Sequence, residues 1–114
     1  MNKSYRIYIL QSMKDFSFYI GISTDPFIRL EKHNSGKGAK YTKTRVPLKF
    51  FLVSRNSFTK SDVLKEEYRL KQLNRKQKEK LIEDTDFWLT TLSEFERLRL
   101  HEYINVSTKR VTEG

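Results

Sequence analysis

Four side chains near the start of the sequence are of types that can act together on a phosphate group. Tyr8 and Tyr19 lie in two neighbouring segments rich in β-branched and aromatic residues, which predict strands. Arg29 and His33 are four residues apart in a predicted helix and therefore share one face. The tyrosines are either core or cross-strand aromatics, or hydroxyl groups that converge on a cleft to move a proton or orient a phosphate.

Arg29 and His33 also admit two interpretations. As a solvated pair they would have only a surface role. As a functional pair, the arginine would form a forked hydrogen bond to a phosphate, and the histidine beside it would bind phosphate or carry a proton. The spacing alone leaves both interpretations open.

A carboxylate in a later predicted helix, over residues 61–73, is the clearest physical indication of a site. At about 100° per residue, Glu67 falls roughly 25° from the mean direction of the apolar side chains of this helix, and Glu66 roughly 75°. Those apolar side chains are Val63, Leu64, Tyr68, Leu70 and Leu73. A carboxylate within an apolar stripe is costly unless it is paired or bound to a cation. Glu67 is therefore either the partner of a buried Arg or Lys, or a metal ligand at the edge of a cleft, since Mg²⁺ often takes only one or two carboxylates.

The distribution of charge indicates a polyanionic partner. The net charge is +9, and residues 29–80 carry sixteen Lys and Arg against five acids, whereas residues 81–114 carry four against seven. A basic middle section is typical of an anion-binding face, although a merely soluble basic protein is the alternative. Side chains suited to contacts with phosphates or, for the aromatic one, to stacking on a base are Lys37, Lys40, Tyr41, Lys43, Arg45, Arg75, Lys76 and Lys78.

The first half of the chain predicts the elements that would hold these residues. Strands are predicted over residues 5–10, 18–23 and 48–54, with the first two forming an antiparallel hairpin. Thr24-Asp25-Pro26 predicts the start of a helix that ends near Asn34. A basic, glycine-containing loop over residues 35–47 would separate this helix from the third strand.

The second half of the chain predicts helices. A short helix over residues 75–83, capped by Asn74, follows the one that carries Glu67. Residues 86–104 have apolar groups at a helical spacing. This C-terminal helix would either cover the core or form a surface for a homodimer or a protein partner.

Length and composition exclude several classes of protein. A chain of 114 residues corresponds to one ordinary domain. It has no cysteine, which excludes disulfides, thiolate zinc sites and cysteine nucleophiles and fits a reducing cytoplasm. We find no secretory signal pattern and no apolar stretch near the roughly 20 residues that a membrane helix needs. A cytoplasmic protein without a membrane partner is predicted.

These motifs, in this order, resemble the GIY-YIG nuclease family, and specifically its small single-domain bacterial branch (UPF0213-like). RIY at residues 6–8 matches the first signature strand, and YIG at residues 19–21 matches the second. The stretch TDPFIRLEKHNSGKGAKYTKTR, residues 24–45, is the most specific to this branch. SDVLKEEYRLKQLNRKQKEKLI, residues 61–82, is similar to its closing helices.

The resemblance implies an α+β fold in which a three-stranded antiparallel sheet is flanked by helices, with a C-terminal helix added. The nuclease domain would span residues 1–83, and residues 84–114 would be a helical extension packed on it or used for association. The implied activity is metal-dependent endonuclease cleavage of DNA, in repair or recombination. The alternatives are a nucleic-acid-binding module without activity and a nuclease subunit that depends on a partner.

The resemblance also implies a role for each candidate side chain. A tyrosine at the position of Tyr8 is thought to help activate the attacking water, and one at Tyr19 to position the phosphate. An arginine at Arg29 binds the scissile phosphate, the glutamate at Glu67 holds one divalent ion, Mg²⁺ or Mn²⁺, and His33 has an accessory role.

Two positions depart from the family pattern. Arg6 stands where the name-giving motif has glycine, and strand alternation puts it on the same side as Tyr8. It would either contact DNA or crowd the cleft. A polar residue that many relatives have near the end of the domain has only Asn74 as a candidate counterpart.

Overall fold

The computed structural model describes residues 3–84 and 86–89. Within that part of the chain the strands are β1 (Arg6–Ser12), β2 (Phe18–Ser23), β3 (Leu48–Ser54) and β4 (Trp88–Leu89). The helices are α1 (Pro26–Asn34), α2 (Lys40–Lys43), α3 (Lys60–Lys71) and α4 (Arg75–Lys80), and a 3₁₀ turn (Leu81–Glu83) follows α4. The strands form an antiparallel sheet in the order β2-β1-β3-β4. The predicted α+β fold, with three antiparallel strands and flanking helices, is confirmed.

Strand β1 lies at the centre of the sheet and separates two apolar clusters. Ile7 and Ile9 belong to one cluster with Val63 of α3, whereas Tyr8 belongs to the other with Leu30 of α1. This division follows from the two-residue alternation of side chains along a strand. It puts the Tyr8 ring on the α1 face, in a strand that is covered on both sides.

Helix α1 begins where the sequence predicts. The Asp25 carboxylate accepts hydrogen bonds from the backbone N–H of Phe27 and Ile28, at 3.1 and 3.3 Å. Pro26, which has no N–H to satisfy, occupies the first helical position. These contacts fix the start of the helix that carries Arg29 and His33.

The predicted loop over residues 35–47 contains a helix that the sequence did not indicate. Lys40–Lys43 form α2, whose buried member is Thr42. A run of basic and glycine residues has no apolar periodicity, so this helix depends on what Thr42 contacts rather than on propensity.

The predicted C-terminal helix does not begin at residue 86. Trp88 and Leu89 pair with Ser54 and Val53 as a two-residue strand, and the backbone N–H of Arg55 donates to the carbonyl of Phe87. Sheet hydrogen bonds therefore override the helical spacing at this point. The remainder of the predicted helix lies outside the described residues, as does the use of that segment for association.

No helix in the described part of the chain is long and apolar enough to cross a membrane.

Candidate active site

Tyr8 lies across Gly21 of the neighbouring strand. The two residues are paired in the sheet, and a Cβ atom at Gly21 would stand 2.5 Å from the Tyr8 hydroxyl oxygen. Only a residue without a side chain leaves room for the ring there. The Tyr8 hydroxyl consequently reaches over β2, the edge strand, while the ring itself is 1% exposed.

A chain of hydrogen bonds runs from Tyr8 through His33 to α2. The Tyr8 hydroxyl is 3.3 Å from His33 Nε2, and His33 Nδ1 is 2.9 Å from Thr42 Oγ1. The Thr42 hydroxyl already donates to the Ala39 carbonyl at 2.8 Å, so it accepts from His33. The proton of the neutral imidazole is therefore on Nδ1, which leaves Nε2 as the acceptor for the Tyr8 hydroxyl.

His33 is fully buried, and this burial changes its acid–base behaviour. Burial and the nearby Arg29 charge lower the pKa of His33 to about 4. The imidazole is therefore neutral near pH 7 and has a free acceptor nitrogen. Gly38 lies against it so closely that a Cβ atom there would overlap Nδ1. Gly38 and Thr42 are not predictable as site residues from the sequence, because neither lies in a periodic pattern and both matter only through contact with His33.

Arg29 joins the two tyrosines from α1. Its positive charge acts on the hydroxyl groups of both Tyr8 and Tyr19 and lowers the pKa of each. Burial raises the pKa of both Tyr8 and Tyr19, and this effect outweighs the lowering by Arg29. Both tyrosines are thus protonated near pH 7.

Tyr19 lies at the solvent side of this cluster. Its ring is edge-on to His33 with the ring centroids 5.1 Å apart, and nearly parallel to the Tyr41 ring at 6.0 Å. Tyr8, Tyr19, Arg29 and His33 are therefore brought together in one cluster.

Glu67 lies on the face of α3 that packs against the sheet, between the buried Val63 and Leu70. Its side chain is 21% exposed, and its carboxylate is 3.6 Å from Lys71 Nζ. The negative charge of Glu67 raises the pKa of both site tyrosines, Tyr8 and Tyr19. It therefore lies close enough to act on the same cluster.

The apolar stripe from which Glu67 was inferred is narrower than the sequence suggests. Leu64 and Tyr68 are 44% and 69% exposed. The neighbouring Glu66 is paired with Arg69 at 2.8 Å. Glu66 and Glu67 each have a basic neighbour, so ion pairing does not distinguish them. Glu67 differs because it lies between buried side chains and because its charge acts on the two tyrosines.

The donor set around Glu67 fits a metal site held by a single carboxylate. Among residues 3–84 and 86–89, no three His, Cys, Asp or Glu side chains cluster as a metal-binding group. These described residues do not form a protein cage of the kind that holds Zn²⁺ or Ca²⁺. Mg²⁺ keeps several waters and often takes one or two carboxylates, and the partly exposed Glu67 carboxylate meets that requirement.

Two of the predicted nucleic-acid contacts also make contacts within the fold. The Arg45 guanidinium lies 3.8 Å from the centroid of the Tyr41 ring, and its Nε is 3.3 Å from the Asp15 carboxylate. Arg75 pairs with Glu79 and donates to the Phe16 carbonyl at 2.9 Å. Of the remaining basic candidates, Lys78 is half-buried. The others are exposed: Lys37, Lys40, Lys43 and Lys76.

The two departures from the family pattern have structural explanations. Arg6 Nε and Nη2 donate to the Ser54 carbonyl at 2.9 and 2.8 Å, which ties β1 to the end of β3. The Asn74 side chain accepts from the Gln77 N–H, and the Gln77 side chain accepts from the Asn74 N–H. Asn74 is therefore the cap of α4, as its position predicts.

Comparison with known proteins identifies a matching family model and similar sequences. The model of the GIY-YIG catalytic domain matches residues 4–80. An UPF0213 protein of Staphylococcus haemolyticus is 46% identical over 85 residues, which are 74% of this chain and 99% of the relative. One of Oceanobacillus iheyensis is 43% identical over 83 residues, which are 73% of this chain and 94% of the relative. The solution NMR structure of the UPF0213 protein from Bacillus halodurans is 41% identical, with a TM-score of 0.44, covering 70% of this chain and 83% of that one.

Proposed function

The chain belongs to the GIY-YIG family, and from that premise we propose that it is a nuclease that hydrolyses phosphodiester bonds, with DNA as the leading substrate. The observation that carries the proposal is the hydrogen bond from the buried Tyr8 hydroxyl to the neutral nitrogen of His33. A hydroxyl with an adjacent base and an adjacent guanidinium is suited to moving a proton during attack on a phosphate.

Arg29 binds the scissile phosphate. Its guanidinium is near enough to the Tyr8 side chain to lower the pKa of the hydroxyl, so a phosphate held by its N–H groups lies near the Tyr8 hydroxyl. A forked donor offsets the negative charge that increases on the non-bridging oxygens during attack. Tyr19, at the solvent side, orients the same phosphate.

Tyr8 and His33 carry the proton. As water attacks phosphorus, its proton passes to the Tyr8 oxygen while the Tyr8 proton passes to His33 Nε2. The bond from phosphorus to the 3′-oxygen breaks, that oxygen takes up a proton from solvent, and His33 returns its proton to solvent through Tyr8, leaving a 5′-phosphate and a 3′-hydroxyl. The raised pKa of Tyr8 makes a free phenolate costly, which favours transfer through Tyr8 over a resting phenolate.

Glu67 would hold the divalent cation. When bound, Mg²⁺ or Mn²⁺ supplies positive charge for the leaving oxygen. The Lys71 ammonium, 3.6 Å from the carboxylate, is the group that the cation would displace. The exposed lysines at 37, 40, 43 and 76 contribute non-specific attraction to the polyanion.

The test is cleavage of labelled single-stranded, duplex and branched DNA with Mg²⁺ or Mn²⁺, and with EDTA. Tyr8→Phe, Arg29→Ala and Glu67→Gln are expected to lower the rate by about 100-fold or more, the range for a positioned proton-transfer or charge-stabilising group. Tyr8→Phe keeps the ring that packs against Phe50.

Matched controls separate loss of chemistry from loss of charge or fold. Glu66→Gln removes the same charge one residue away, from a side chain that pairs with Arg69. Tyr68→Phe removes a hydroxyl from an exposed tyrosine. Both are expected to cleave within about 3-fold of wild type, as surface substitutions usually do. Binding without cleavage by the wild-type chain would reject the enzyme and leave a binding module or a partner-dependent subunit.

A further inference from the structure

A groove of about 370 Å³ lies against β2, the edge strand of the sheet, and shares Tyr19 with the candidate active site. The side chains that line it are Phe18, Tyr19, Ile20, Tyr41, Lys71 and Lys78. Binding sites for small molecules typically have roughly 300–1,000 Å³ and combine apolar walls with a few polar groups. This groove has the size and the composition to take one planar ring.

Two tyrosines give the groove a flat aromatic surface. The Tyr19 and Tyr41 rings are 6.0 Å apart between centroids, and their planes differ by 23°. Tyr41 is 42% exposed although its ring is in contact with the Arg45 guanidinium. Arg45 is itself paired with Asp15. The Tyr41 ring is therefore held between the Arg45 guanidinium and the Tyr19 ring, and the exposed part of the residue is open to a ligand.

The charged groups of the groove select an anion. Lys71 and Lys78 line it, and its described lining contains no acidic side chain. Lys71 also lies 3.6 Å from the Glu67 carboxylate, so one lining side chain of the groove is next to the proposed cation site. A ligand that combines a flat ring with a phosphate matches these features together.

We infer that the groove binds one unpaired nucleotide of the substrate, adjacent to the scissile phosphate. The base stacks on Tyr19 and Tyr41, and its phosphate contacts Lys71 and Lys78. Inside a duplex both faces of a base are covered by its neighbours, so only an unstacked nucleotide can bind in this way. The inference rests on the proposed function, and it narrows the substrate class to nucleic acid with unpaired nucleotides at the cut.

The first experiment measures binding without cleavage. A Glu67→Gln chain in EDTA is titrated with a short oligothymidylate and with an abasic strand of the same length, which has the same phosphates and no bases. The oligothymidylate is expected to bind at least about 5-fold more tightly, the lower end of what stacking on an aromatic side chain contributes. Equal affinities for the two strands would overturn the base site.

Variants of Tyr41 assign the difference to the groove. Tyr41→Ala is expected to remove most of the preference for the strand with bases and to leave the affinity for the abasic strand and for a blunt duplex within about 2-fold. Tyr41→Phe keeps the ring and should keep the preference. Tyr68→Ala removes an exposed tyrosine outside the groove and should change nothing. A preference that survives Tyr41→Ala would contradict the inference.

A pair of lysine variants tests the phosphate contact. Lys78→Gln and Lys80→Gln remove the same charge from the same helix, but only Lys78 lines the groove. Lys78→Gln is expected to weaken binding of both strands several-fold more than Lys80→Gln; equal losses would overturn the contact. These outcomes are independent of cleavage, so a failed base site and a failed nuclease are distinguishable.

Discussion

At the scale of single residues, His33 is an imidazole without solvent exposure beside a guanidinium. Its pKa is about 4 in the folded chain, against roughly 6.5 in an unfolded one. The folded chain therefore favours the neutral form of the His33 imidazole. The contribution of neutral His33 to the free energy of unfolding is fully present above about pH 6.5 and is lost as the pH falls from there towards 4.

The expected result is a free energy of unfolding that falls by up to about 3 kcal/mol more in wild type than in His33→Gln between pH 7 and pH 4. Tyr8 and Tyr19 face the imidazole and stay protonated over that range, because burial raises the pKa of both hydroxyls. Asp15, whose pKa is lowered chiefly by a hydrogen bond from Ser17, loses stabilisation in both chains. Urea unfolding at several pH values measures the difference, and parallel curves for the two chains would contradict it.

Prediction from the sequence works at this scale where a side chain's role depends on its own helix or strand. Arg29 and His33 share a face because of their spacing, and that required no tertiary information. Burial of His33 by Gly38 and Thr42 depends on how a loop folds back over α1. No local pattern encodes that contact, so the low pKa of His33 was not predictable.

At the scale of elements, the pairing of β1 with β2 decides where the Tyr8 hydroxyl lies. Gly21 is directly opposite Tyr8, and a Cβ atom there would be 2.6 Å from the ring carbon that bears the hydroxyl. The ring is rigid and fully packed, so Gly21→Ala must displace it. We expect a loss of about 1–3 kcal/mol in stability, as for other overpacked cores, and a large loss of cleavage.

Gly36→Ala is the contrasting variant. Gly36 has φ of +81° and open space around its Cβ position, so alanine there costs only backbone strain, about 1 kcal/mol. Cleavage at a temperature where both variants are folded should persist in Gly36→Ala and fail in Gly21→Ala. Equal activity in the two variants would mean that the place of the Tyr8 ring does not matter.

Helices and strands were predicted correctly where residues within the segment determine its structure. The prediction failed where contacts with distant residues determine it. Helix α1 has a polar cap and a proline at its start, and β3 is a mostly apolar strand. The two-residue strand β4 exists because Val53 and Ser54 offer an unpaired edge. By spacing alone, the apolar residues of this segment fit a helix as well as a strand. Pairing with the edge of β3 decides in favour of the strand.

At the scale of the whole molecule, Trp88 connects the end of the described chain to the core. It is 1% exposed and belongs to the cluster of Ile7, Ile9 and Val63. The domain limit near residue 83 is still a prediction, and it implies that the segment beyond is an addition to a complete core. A buried tryptophan in the central cluster argues instead that the core extends to β4.

Trp88→Ala distinguishes these two possibilities. Removing a buried tryptophan typically costs about 3–5 kcal/mol, a large share of the roughly 5–15 kcal/mol that stabilises a domain. Thermal denaturation of the full chain should then show a midpoint lower by roughly 10 °C or more. The control is Ile82→Ala, since Ile82 is 45% exposed and its loss should cost about 0.5 kcal/mol or less. If the denaturation midpoints of both variants stay close to wild type, β4 only covers a domain that is complete by residue 83. If only the midpoint of Trp88→Ala is lower, the candidate site is supported by a sheet that includes β4.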